Sequence, residues 1–152
     1  RRSSNEAEGF FRAAVRGFRA AGESGAIGGL RAMGNLADHL RSLGRLTEAL
    51  PLAKEALAGL RAQGPAARAD ALIGESNLAL LLYASGRFGE AEAGYRGVVA
   101  GYEAFRGPKS GEAEASRKDL AELLRRLGRK AEASAVAQRH GAGHHDRHSG
   151  EL

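Results

Sequence analysis

The sequence predicts an all-α solenoid, a superhelical stack of antiparallel helix hairpins with about seven helices, and three observations carry that reading. The chain matches itself at a shift of 42 residues, its apolar residues recur at helical spacing, and glycine punctuates each repeat at the same place. A fixed period of this size marks an array in which each unit buries its apolar face only against its neighbours.

Two blocks define the repeat. Gly44-Arg45-x-x-Glu48-Ala49 returns as Gly86-Arg87-x-x-Glu90-Ala91 and then as Gly128-Arg129-x-x-Glu132-Ala133. Upstream of each stands Asn35-Leu36-Ala37-x-x-Leu40, then Asn77-Leu78-Ala79-x-x-Leu82, then Asp119-Leu120-Ala121-x-x-Leu124. The upstream block has the apolar spacing of a first helix. Gly44, Gly86 and Gly128 end it, as expected where φ turns positive at a helix C-terminus. Glu48, Glu90 and Glu132 open the second helix, where a carboxylate meets the positive end of the helix dipole. The alanine after each is small enough to let the two helices of a hairpin approach closely.

In chain order, residues 1–4 open on Arg1 rather than Met and are expected to be the end of a fragment or processed form. Shifting back one period places Glu6-Ala7 under Glu48-Ala49, which predicts a lone second helix at about 5–21 within a half repeat, 5–22. Three hairpins follow, in repeats at about 26–64, 66–106 and 110–140, so the repeat domain is expected to span 5–140. Their helices are expected near 27–43, 46–63, 67–85, 88–105, 112–127 and 130–140. Gly28, Gly29 and Gly34 weaken the first of these, at roughly 1 kcal/mol each relative to Ala. Pro51 is expected in an opening turn, where a missing N–H is tolerated. Gly64-Pro65 and Gly107-Pro108 separate the units. Residues 141–152, rich in His and Gly, are expected to form a disordered tail.

Composition narrows the function classes. The chain has no cysteine, so disulfides and thiolate metal sites are excluded, and an intracellular, cytoplasmic setting is expected. No apolar run approaches the roughly 18–20 residues of a membrane span. The net charge is +5, with 23 basic residues opposed by 18 acidic ones, which favours an acidic partner. No nucleophile, base and acid converge, so no catalytic residue is assigned. No cofactor or metal is expected either: His140, His144, His145 and His148 cluster, but nothing frames their geometry. His39 reads as a packing or surface residue.

These blocks resemble tetratricopeptide repeats, and the 42-residue period resembles the repeats of kinesin light chains. The matching features are Asn77-Leu78-Ala79, the Gly86-to-Ala91 hairpin, Pro51-Leu52 and Gly107-Pro108. The chain departs from that pattern at Met33 and Glu75, where a large aromatic is usual, and at Asp119, where Asn is usual. The resemblance implies a right-handed superhelix whose first helices line a concave groove. Helical projection then points Arg31, Asn35, Asp38 and Arg41 inward from the first hairpin. From the second it points Ile73, Asn77, Leu80 and Tyr83. From the third it points Lys118, Asp119, Glu122, Arg125 and Arg126.

That groove would have basic ends and an apolar middle around Leu80 and Tyr83, suited to a peptide or protein with acidic and apolar residues. The resemblance implies that Asn35 and Asn77 bind a peptide backbone; the other reading has them bonding between hairpins. The expected role is therefore a non-enzymatic interaction module or scaffold. A fixed structural subunit of a larger assembly is the alternative, because Phe10, Phe11 and Phe18 on the half repeat need a packing partner. A basic nucleic-acid-binding solenoid is less favoured, since aromatics for stacking are sparse and the charges are mixed in sign. No membrane partner is expected.

Overall fold

The computed structural model describes residues 2–22 and 26–139, with side chains from Ser4 onward. Among them are seven α-helices and no strand. These are α1 (Arg2–Ala20), α2 (Ile27–Ser42), α3 (Leu46–Ala62), α4 (Arg68–Ala84), α5 (Phe88–Arg106), α6 (Gly111–Arg126) and α7 (Lys130–Ala137). A short 3-10 turn, Gly64–Ala67, leads into α4. The expected His/Gly-rich tail lies outside the described residues.

Each hairpin turns in the same way. Gly44, Gly86 and Gly128 have φ of 75°, 77° and 79°, a left-handed conformation that an L side chain disfavours. The N–H of Gly44 donates to the Arg41 carbonyl at 2.9 Å, and that of Arg45 donates to the Leu40 carbonyl at 2.9 Å. The same pair of bonds recurs from Gly86 and Arg87 to Tyr83 and Leu82, and from Gly128 and Arg129 to Arg125 and Leu124. This two-bond closure satisfies carbonyls that the helix end leaves open. The arginine after each glycine then reaches three residues on, so that Arg45–Glu48, Arg87–Glu90 and Arg129–Glu132 are ion pairs. Ala49, Ala91 and Ala133, next in line, have no exposed surface.

Two local readings change. Pro51 stands inside α3, in its second turn rather than its first. There it withholds a donor from the Thr47 carbonyl. Its ring faces solvent, so α3 runs on to Ala62. Two of the three glycines of α2 are used in packing: Phe18 of α1 lies against Gly28 and Gly29, and a Cβ on Gly29 would fall 2.8 Å from the Phe18 Cβ.

The chain packs as two compact units, the first ending at Gly94 and the second beginning at Tyr95, within α5. In the first, α1 to α4 enclose Val15, Leu30, Met33, Leu36, Leu40, Ala53, Leu60 and Leu81. Phe11 packs at the margin of this core and Phe18 is half-buried, which leaves Phe10, 71% exposed, as the uncovered aromatic of the three. His39 sets its ring 6.0 Å from that of Phe11, and its Nε2 lies 3.0 Å from the Ser4 carbonyl. Arg45 bridges Glu8 of α1 and Glu48 of α3, and Arg12 also bonds Glu8. Hydrogen bonds from Arg12 and Arg45 hold the Glu8 carboxyl below the usual carboxylate range.

In the second unit α5, α6 and α7 enclose Tyr95, Val98, Val99, Leu120, Leu124 and Val136. Arg117 is buried among them, 3% exposed. Its guanidinium donates to Glu103 at 2.9 Å and to the Pro108 carbonyl at 2.8 Å, which ties α6 to the turn that precedes it. Ser110 caps α6 by accepting from the Ala113 N–H.

Candidate functional site

In the first unit a cavity of about 220 Å³ opens between α2 and α4, with α3 as its floor. Arg31, Asn35, Asp38 and Arg41 line it from α2, and Ile73 and Asn77 line it from α4. Six residues that helical projection points inward are thus brought together. Successive side chains sit about one turn apart, so α2 presents a polar stripe to the opening, while α4 presents the apolar Ile73 beside Asn77. Behind the stripe the wall is apolar and small: Ala53, Ala56 and Leu60 of α3, with Leu30, Ala37 and Leu81.

Asn35 and Asn77 are exposed, and their amides bond no described residue, so each keeps its donors and acceptor for an occupant. The bonding between hairpins considered as their other role is not seen. The charges are not free in this way. Arg31 grips Asp70 with both Nε and Nη2 at 2.8 Å, and Arg41 grips Asp38 at 2.8–3.1 Å. Arg31's hydrogen bonds draw the Asp70 carboxyl below its ordinary range. Two arginines and two aspartates balance, so the basic end expected of this hairpin is neutralised within the cleft. Asp70 is missed as a site residue by the sequence, because an acid in the opening turn of a helix reads first as a partner of the helix dipole.

Leu80 and Tyr83 lie outside the lining of this cavity. Both are half-buried, and the Tyr83 ring rests 5.3 Å from that of Phe88. The apolar character of the cleft comes instead from its floor and from Ile73, which is 53% exposed.

Two models of the tetratricopeptide repeat match the chain, one over residues 30–62 and one over 70–140, together about two thirds of it. The chain belongs to the tetratricopeptide repeat family. Among solved structures, it is similar to a Podosopora anserina protein named as a kinesin light chain with nearly identical TPR-like repeats. The identity is 22% and the TM-score 0.78, over 88% of this chain and 63% of that one. It is also similar to BtubC (BKLC) from P. vanneervenii, at 20% identity and a TM-score of 0.68, over 89% of this chain and 53% of that one. At these identities the likeness is one of fold: an all-α tetratricopeptide solenoid with kinesin-light-chain-type repeats. The chain spans between about half and two thirds of the length of those proteins. No curated protein sequence matches it.

The third tetratricopeptide repeat places its five projected residues on the exposed face of α6, in the second unit. Lys118 pairs with Glu114 at 3.6 Å, and Glu122 is shared by Arg125 and Arg126 at 3.4 and 3.1 Å. Asp119 is exposed beside them. Arg125 and Arg126 are thus answered by an acid on their own helix. No group of three His, Asp or Glu able to hold a metal ion occurs among the described residues, and no described helix is long and apolar enough to cross a membrane.

Proposed function

We propose that the chain is a non-catalytic interaction module that holds an extended segment of a partner protein in the cleft between α2 and α4. Tetratricopeptide repeats mediate protein–protein interaction and scaffolding, and the fold leaves open which surface serves. The observation that favours this cleft is the pair of unengaged amides, Asn35 and Asn77, at equivalent places on its two walls. An amide can receive a backbone N–H and donate to a backbone carbonyl at once, so two of them in register fix an extended chain without reading its side chains. The apolar floor supplies the area whose burial drives binding. In the second unit, the face of α6 with Lys118, Asp119, Glu122, Arg125 and Arg126 would be a binding surface of its own. An intracellular, cytoplasmic setting goes with this reading.

The test is binding of peptides selected from a random displayed library on the full chain. Each lost neutral hydrogen bond contributes about 0.5–1.5 kcal/mol. The Asn35→Ala/Asn77→Ala double variant should therefore weaken the selected peptides about tenfold to a hundredfold. Unchanged binding of every selected peptide would remove the cleft as the site.

A further inference from the structure

The helical glycines of the first unit differ in what a side chain would meet, and Gly9, Gly17 and Gly89, which do not line the cavity, have open space around them. A Cβ on Gly29 would fall 2.8 Å from the Phe18 Cβ, and one on Gly94 would fall 2.9 Å from the Ala79 Cβ, so close helix packing demands glycine there. Gly34 and Gly74 answer no such demand. A Cβ on Gly34 would meet nothing within 4 Å, and one on Gly74 would make ordinary contacts of 3.6 and 3.7 Å with Leu57 and Leu60. Glycine weakens a helix interior relative to alanine, and nothing in the packed chain offsets that weakening at these two positions. Nor does the repeat require it: the equivalents of Gly34 are Ser76 and Lys118, and those of Gly74 are Ala32 and Ser116. What the two share is the cavity they line, one on each wall.

The space they leave has a definite capacity. An apolar cavity of about 150 Å³ takes a benzene ring, and this one, at about 220 Å³, takes a larger side chain. Its rim carries two closed ion pairs, Arg31–Asp70 and Arg41–Asp38, so an entering charge would find no unpaired counter-charge while losing its water.

Resting on the cleft reading above, we infer that Gly34 and Gly74 determine specificity: they open a socket for one bulky, uncharged apolar side chain, of leucine to tryptophan size, on an otherwise neutral extended peptide.

The experiment uses the same random displayed library, selected on the full chain. Enriched peptides should share one Leu, Met, Phe or Trp among uncharged neighbours. Gly34→Leu, which fills the socket from its wall, should lower their affinity about tenfold to a hundredfold, as expected for the loss of one buried apolar side chain. Its melting temperature should not fall below that of wild type. Should Gly34→Leu fail to fold, Gly34→Ala carries the test, and it should weaken Trp-bearing peptides more than Leu-bearing ones. Enrichment of acidic peptides without an apolar anchor would overturn the inference. So would full affinity in a folded Gly34→Leu or, where only Gly34→Ala folds, equal affinity for both anchors. Loss of binding in Asn35→Ala/Asn77→Ala together with full binding in Gly34→Leu overturns the socket alone. Full binding in both removes the cleft as well.

Discussion

Arg61 and Glu75 in the first unit stand one repeat before Glu103 and Arg117 in the second, and the two pairs carry opposite polarity. The first joins a second helix to the next first helix at 3.4 Å, with the arginine 58% exposed. The second makes the same join at 2.9 Å, with its arginine side chain 4% exposed and also held by the Pro108 carbonyl. The repeat therefore specifies a place for an ion pair without specifying which partner is the cation. What differs is burial. An exposed pair gains little over its solvated partners, whereas a buried arginine that loses its carboxylate is left uncompensated in a poorly polarisable interior.

Three measurements can break or sharpen that contrast. The largest effect is expected from Glu103→Ala, which leaves Arg117 buried without its carboxylate and should lower the unfolding free energy by roughly 3–5 kcal/mol in a denaturant titration. Arg61→Ala, at the equivalent pair, should lower it by less than about 1 kcal/mol. Reversing that pair as Arg61→Glu/Glu75→Arg should leave stability within about 1 kcal/mol of wild type. Equal losses from Arg61→Ala and Glu103→Ala would show that burial is not what separates the two units.

The smallest effect is expected from acid. Hydrogen bonds from Arg31 hold the Asp70 carboxyl below its ordinary value. That pair therefore contributes stability above the ordinary carboxylate range, near pH 4. The contribution is lost as pH falls through the lowered folded value. Melting temperature should drop more steeply below about pH 4 in wild type than in Asp70→Asn.

The turns were the most legible part of the molecule. Gly44, Gly86 and Gly128 occupy a backbone conformation that glycine alone adopts freely, so the sequence must repeat wherever the hairpin does. Helix ends were readable only to within a few residues, as with α7, which stops at Ala137 rather than near 140, because the final turns close through local bonds that many residues allow. Asn35 and Asn77 could be placed on a common cleft because they share a register. Repeat comparison aligns Asp70 with Gly28 and Glu112, so it places an acid here in two of the three repeats, but it does not show that the carboxylate reaches Arg31 on the neighbouring helix. Gly34 and Gly74 read only as weak points in helices. A missing side chain shows what it makes room for only once the facing helix is in place.

The exchanged polarity of the two ion pairs bears on how near-identical modules avoid confusion while the chain is collapsing. If α3 docked one period too far along, Arg61 would face Arg117; if α4 settled against the end of α5, Glu75 would face Glu103. Either slip sets like charges together at a spot that the correct partner fills with an opposite one. Transplanting one module into the place of the next would meet the same repulsion, so the modules are alike in shape yet not interchangeable in order.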